Sequence, residues 1–407
     1  MILNTAITKD KLNYYLLLLL AFLIPLKKEL LAPSIILFFL SSFFNFNPKK
    51  EQKPLLLIVF FYAIGLLSLL YTNNSAETWF NAEIKLSIAV LPLAFYFSNL
   101  NYNFIYPSVL KAFVEGCLIA VIINTILSSI RFYYERDPSL FFYDTSSSFA
   151  HVSYYGYYLT FAIAILYYFL FNPNKQNYIP PLYLILLIGL FSLVILIGTS
   201  KAAVISLIIT HFISALYWIL KYKKYKQGIL TLLFFSIAIA VTFTFSESFK
   251  SRFMEMKNSL YKKELPANPN SSTTMRLAAW QQAIELIKEK PFIGYGTGDV
   301  VPQLTKKYKK NHYDSLAKRH LNTHNQFLQI MVGSGVFAFI YFIFLLLFPF
   351  FKTSKIHFLY LLFVIITFIN FATESMLETQ SGVVFFSFAL GLFYSIIFSK
   401  KTTLLTK

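Results

Sequence analysis

The feature that most narrows what this chain can fold into is the length of its apolar runs. Blocks of roughly 17–25 apolar residues recur along it, the length at which a helix crosses a bilayer core. Polar residues are confined to the gaps between blocks. Of 407 residues, 57% are hydrophobic and 13% charged, whereas a soluble domain has about 45–50% apolar and about 25% charged residues. The composition therefore excludes a soluble globular protein and implies an all-α integral membrane protein. The single cysteine, Cys117, lies inside an apolar block, which leaves no disulfide framework and no thiolate metal site.

Hydropathy predicts about twelve transmembrane helices. The first six run approximately Leu12–Leu26, Leu30–Phe46, Pro54–Thr72, Ile84–Ser98, Pro107–Ile130 and Ser153–Phe171. The others are Ile179–Gly198, Ala202–Leu220, Gly228–Ser246, His324–Phe351, Ile356–Ala372 and Gly382–Ser399. Lys9 and Lys11 precede the first run like a signal peptide, but no small-residue cleavage pattern follows, so it reads as an uncleaved span. With the N-terminus cytoplasmic, the short inner segments hold fifteen lysines and the short outer ones six lysines and arginines. That asymmetry puts both termini inside. It also accounts for much of the net charge of +18 as a topology signal rather than a nucleic-acid footprint.

The chain then divides into spans one to nine over residues 1–246, a large outer loop over 247–323, and spans ten to twelve over 324–407, all in one membrane domain. A structureless loop of this length would be unusual, and helical signals run through it. Phe249, Phe253, Met256 and Leu260 recur at helical spacing, as in a helix lying on a membrane surface. Pro266 to Asn270 breaks the chain. Ser272, Thr273 and Thr274 are N-cap candidates for a helix over Met275–Glu289, and Gly294 to Gly298 reads as a flexible turn.

Three residues are the main candidates for chemistry. Arg276 begins a face with Trp280, Ala283, Ile284 and Ile287 that should pack inward. A buried guanidinium needs an anionic partner, and its fork suits phosphate oxygens; alternatively it snorkels to water. His324 opens the tenth span, with Asn322 or Thr323 as caps. There the helix dipole disfavours protonation and suits a general base, although an interfacial polar residue is the simpler reading of a lone histidine. Lys201 lies in the first turn of the eighth span, where a cation opposes the dipole and a nearby anion would relieve it; a snorkelling lysine fits equally. Glu374 and Glu378, one helical turn apart, could bind sugar hydroxyls or merely follow topology. His151 is a further candidate, His211 reads as a packing group, and Lys111 with Glu115 as an ion pair. Lys306, Lys307, Lys309 and Lys310 form either a phosphate-attracting or a solvated stretch. No zinc, calcium or P-loop pattern is present.

The order Thr274-Met275-Arg276, Trp280, Pro291-Phe292-Ile293-Gly294-Tyr295-Gly296, His324-Asn325-Gln326 and Gly333-Ser334-Gly335 resembles the O-antigen ligase and polymerase superfamily. The likeness covers roughly Thr274 to Phe350. Gly198-Thr199-Ser200-Lys201-Ala202 resembles a second family element with lysine replacing the usual arginine, which keeps charge but loses the bidentate fork. The stretch Ala150 to Tyr157, with His151, resembles a less specific one.

This resemblance implies a bacterial inner-membrane enzyme, active on the periplasmic side without metal or cofactor. It would move a glycan from undecaprenyl pyrophosphate to an acceptor hydroxyl, in ligases a sugar of lipid A core. Departing pyrophosphate builds charge that Arg276 and Lys201 can stabilise, while His324 accepts the hydroxyl proton and the anomeric centre inverts. Asn325, Trp280, His151, Glu374 and Glu378 would support the site or the acceptor. Twelve spans and one late loop favour the ligase branch over a polymerase, with a protein O-oligosaccharyltransferase third. A lipid-linked glycan transporter is the rival from another class, but internal repeats and broken helices are missing from the sequence.

Overall fold

The computed structural model describes residues 2–46, 48–137, 140, 151–173, 179–198, 200–261, 271–352 and 357–399. Among the described residues every regular element is a helix. In hydrocarbon each backbone polar group must bond within its own segment, which a helix does and a lone strand cannot. The N-terminal half holds α1 (Ile2–Leu23), α2 (Leu31–Ser42), α3 (Leu55–Leu67), α4 (Ser75–Ile84), α5 (Ser87–Phe97), α6 (Tyr102–Glu135), α7 (Val152–Phe171) and α8 (Pro181–Gly198). Next come α9 (Lys201–Tyr222), α10 (Tyr225–Phe245), α11 (Glu247–Tyr261), α12 (Ser272–Glu289), α13 (Val300–Lys310) and α14 (Asp314–Lys318). The last three are α15 (Gln326–Lys352), α16 (Phe358–Thr373) and α17 (Gln380–Ile397).

Each of the twelve apolar segments is helical, but eight helices among the described residues are long and apolar enough to cross a membrane. These are α6, α7, α8, α9, α10, α15, α17 and the continuous Ser75–Phe97 that joins α4 to α5. α3 with its 3-10 extension to Leu70, and α16, are apolar but shorter. α2 has 12 residues and reaches about 18 Å, against a core of about 30 Å. α1 is long enough but carries Lys9, Asp10 and Lys11. Hydropathy counts apolar residues whether or not the helix through them stays continuous, so it reaches a higher number.

α7 and α17 form the centre of the bundle: 83% and 78% of their apolar windows are buried, against 11% for peripheral α10. A helix apolar all round is stable only when packed all round, and here aromatic rings interlock, Tyr157 on Phe385 at 4.6 Å. Because the chain alternates direction, the starts of α7, α9, α15 and α17 and the end of α16 meet at one end of the bundle. The opposite end gathers His357 against Tyr106, Tyr168 and Phe393.

The stretch between α10 and α15 is more ordered than its sequence suggested. Two helices were expected in it, and α13 and α14 are additional. Val300, Leu304 and Tyr308 of α13 face inward and meet Ala279, Ala283 and Leu286 of α12 in a small second core. Lys306, Lys309 and Lys310 point outward, while Lys307 bonds Glu285 and Glu289. Phe249 is buried on α11 and Phe253 exposed. The proposed break at Pro266 to Asn270 and the side chains of Met256 and Leu260 lie outside the described residues.

The turn at Gly294 to Gly298 is packed rather than flexible. Tyr295 N and Gly296 N donate to the carbonyls of Val332 and Gly333, each at 2.9 Å, and Val336 N donates to Pro291 O at 2.8 Å. α15 is kinked there, with Gly335 at φ 76° and ψ −177°. A Cβ on Gly335 would run into Phe292 O. The kink exposes α15 carbonyls, and the Pro291–Gly296 turn supplies their donors. Two motifs distant in sequence thus form one joint.

Candidate active site

Where α12 meets the bundle, its start is built differently from expectation. Ser271, one residue before the expected caps, is the N-cap and makes a capping box with Thr274. That leaves the hydroxyls of Ser272 and Thr273 to receive Lys201 Nζ, at 3.3 and 2.7 Å. Lys201 also pairs with Glu255 of α11 at 3.1 Å, so a side chain of this protein stands where an anionic ligand was expected. The preceding Thr199 lies outside the described residues.

Arg276 follows one turn later. Its Nη1 donates to Ser272 O (3.4 Å) and its Nη2 to Glu374 Oε2 (3.2 Å). Lys201 and Arg276 therefore converge on one residue, Ser272. Arg276 Nε and Trp280 Nε1 are both buried without a hydrogen-bond partner, an uncommon state for buried donors. The inward face of α12 is Ala278, Ala279, Gln282, Ala283 and Leu286, so that of the expected face Ala283 is buried and Ile287 packs beside the second core, while Ile284 is exposed. Arg276 and Trp280 sit on its shoulder, only partly exposed. The sequence periodicity was shifted because alanines, not the larger residues, make the close helix contact.

His324 does not open α15. The helix starts at Gln326 and is capped by Asn325, whose Oδ1 accepts from Phe327 N and Leu328 N at 3.0 and 3.1 Å. His324 stands just before the cap at φ 45°, a left-handed conformation that costs a non-glycine residue of order 1 kcal/mol or more. Asn322 Oδ1 holds it by accepting from His324 N at 2.9 Å. Thr323 Oγ1 donates to Asn325 O and lies 3.1 Å from Ser375 Oγ. The turn is thus sewn to the segment after α16 before any ligand arrives.

That segment brings in Glu374. His324 Nδ1 lies 2.8 Å from Glu374 Oε1. An ionised carboxylate only accepts, so Nδ1 carries the proton of this bond and Nε2 is the ring's second nitrogen for chemistry. Burial pushes the Glu374 carboxyl up. The hydrogen bond and charge of His324, with the Arg276 guanidinium, outweigh that and hold it at about 2. Arg276–Glu374–His324 is therefore a connected cation–carboxylate–imidazole chain, with Lys201 tied to the same helix start.

Glu374 and Glu378 are not one turn apart on a helix. α16 ends at Thr373, and the chain turns through a short 3-10 helix, Met376–Glu378. Glu374 faces the imidazole, and Glu378 pairs with Lys85 at 2.7 Å. His151 caps α7, accepting from Ser153 N at 3.3 Å. His211 bonds Tyr167 and Ser192 inside the bundle, as a packing group does. Lys111 and Glu115 lie 3.7 Å apart, about half exposed on α6. Ser375 and Gln329 were missed, and Thr323 and Gln326 were read only as a cap candidate and as part of a motif. The one sequence signal for them is the density of polar residues immediately before a long apolar span.

These features define a class: a multi-pass helical membrane protein with cations, a carboxylate and an imidazole gathered at one end of the bundle. Residues 184–343 match the O-antigen ligase family model, and that match places the chain's resemblance in the O-antigen ligase and polymerase superfamily. The matched segment includes Lys201, Arg276, Trp280, His324 and Asn325, and ends before Glu374. It supports an enzyme of ligase or polymerase type, working in a membrane on lipid-linked glycan. A comparison with curated proteins finds no match.

Proposed function

We propose that the protein is an O-antigen ligase-like glycosyltransferase that moves a glycan from undecaprenyl pyrophosphate to a sugar hydroxyl of lipid A core. The observation that carries this reading is the Arg276–Glu374–His324 chain with Lys201 bound to the start of the same helix. The acceptor hydroxyl gives its proton to His324 Nε2 as its oxygen bonds the anomeric carbon. The bond from that carbon to the phosphate oxygen breaks, and undecaprenyl pyrophosphate leaves with the electron pair. Attack opposite the leaving group inverts the centre. Glu374 stabilises the imidazolium that forms, as a carboxylate does behind a catalytic histidine. Arg276 and Lys201 stabilise the charge on the leaving group, and the unpartnered Arg276 Nε and Trp280 Nε1 are donors for its oxygens. On this reading the chain sits in a bacterial inner membrane with both termini cytoplasmic and the site periplasmic.

The test incubates purified protein with undecaprenyl-pyrophosphate glycan, with and without lipid A core, in EDTA. Core-dependent transfer is expected. Lengthening of the donor glycan without core would make the protein a polymerase, and an unchanged rate in His324→Ala would overturn the role of the imidazole.

A further inference from the structure

Beside the catalytic turn lies a narrow cleft with a cavity volume of about 60 Å3. It is bounded by α3, α4, α5, α13, α15 and the turn after α16. Its depth is apolar, with Phe61, Ile64, Ile88, Ile330 and Ala338. Its polar lining is Asn81, Lys85, Gln326, Gln329, Ser334 and Glu378. The wall it shares with the catalytic turn is continuous. Gln326 Oε1 accepts from Leu377 N at 2.6 Å, and Gln329 Oε1 accepts from the backbone Thr323 N at 3.4 Å. Both amides are thereby oriented, with the carbonyl oxygen used in the wall and the nitrogen left for a ligand.

We infer that this cleft is the acceptor site, and that it takes the neutral, hydroxyl-rich head group of a membrane amphiphile with its apolar part in the depth. The inference rests on the glycosyl-transfer reading above. Charge selects the occupant. Lys85 and Glu378 neutralise each other, only 20% and 11% exposed, so the cleft presents no excess cation for a phosphate. The Lys85 ammonium takes Glu378 Oε1, and the second oxygen of an ionised carboxylate can accept from a sugar hydroxyl. Amide nitrogens, a hydroxyl and a carboxylate above apolar walls are the mixture that recognises a polar head on an apolar body. The His324 turn then stands between a pyrophosphate side at Arg276 and Lys201 and an acceptor side at Glu378, as a base serving both substrates must.

The test places a thiol in the cleft with Ser334→Cys; the natural Cys117 is buried, so the unsubstituted protein is the labelling control. In nanodiscs, hexyl β-glucoside should slow N-ethylmaleimide modification of that thiol at least fivefold. Hexanol and hexyl phosphate should not, and adding Glu378→Gln should remove the protection. Equal protection by hexanol, or stronger protection by hexyl phosphate, would overturn the inference. In the transfer assay, Glu378→Gln should raise the acceptor KM about tenfold, with the donor KM moving less than twofold. An unchanged acceptor KM in an active protein would defeat the acceptor site alone. Absence of transfer by the unsubstituted protein would defeat the reaction, while the labelling result would still decide what the cleft binds.

Discussion

Replacing Glu374 by Gln keeps the shape of the side chain and removes its charge, which isolates what the carboxylate does between Arg276 and His324. Its carboxyl is held at about 2 instead of an ordinary 4.5. That difference corresponds to about 3 kcal/mol of net preference for the charged form, after the cost of burying it. Only the His324 part of that preference bears on the imidazolium in the transition state, so its loss lowers kcat by at most about 10²-fold. A glutamine can accept from Nδ1–H with its oxygen, but its NH2 then faces Arg276, donor against donor. The assay is single-turnover glycan transfer at saturating acceptor, with thermal unfolding measured on the same preparations. A rate within threefold of the unsubstituted protein would refute the reasoning, because the imidazole would then work without the carboxylate. The pH dependence has a definite sign. Since the folded value is depressed, the Glu374 contribution to stability is fully present above pH 4.5 and is lost as pH falls toward about 2. Glu374→Gln should abolish that part of the acid sensitivity.

Lys201→Met should raise the donor KM about tenfold, and Lys201→Arg should hold it at or below the unsubstituted value, because the guanidinium adds a bidentate fork; equal effects of both variants would count against a phosphate contact. Trp280→Phe keeps the ring and deletes the Nε1 donor, so the donor KM should rise about threefold to tenfold, the worth of one hydrogen bond, with the melting temperature unmoved. Gly335→Ala should destabilise the protein by about 2 kcal/mol or more, read as a lower melting temperature, because Gly335 is at φ 76° and the added Cβ meets Phe292 O. Asp299→Ala should destabilise by about 1–3 kcal/mol, because its buried carboxylate receives Thr72 Oγ1 at 2.8 Å and Asn73 N at 2.7 Å.

The order Arg276, Trp280, His324, Asn325 could be read from the sequence because each stands out as polar at the edge of an apolar helix. What could not be read was their pairing. Glu374 and Glu378 looked equivalent, spaced like helix neighbours, yet a turn after α16 sends one to the imidazole and the other to Lys85. Lys201 looked like a cation awaiting a ligand, and Glu255 fills part of that need. Nor did the glycines of Pro291 to Gly296 reveal that they clasp a kink in α15, because local preference cannot name a distant carbonyl.

By itself, then, the sequence determined the solvent: runs of apolar residues long enough to cross a bilayer compel helices, since no other lone segment satisfies its backbone in hydrocarbon. It also placed polar residues near helix ends, while the caps themselves, Ser271 and Asn325, were set by the packed structure. Only the tertiary structure decided which helix starts and ends share one end of the bundle, and hence that a carboxylate after α16 stands 2.8 Å from an imidazole before α15. Periodicity is a property of a single helix, whereas that juxtaposition depends on how several helices pack, and packing is set by side-chain shape over the whole bundle.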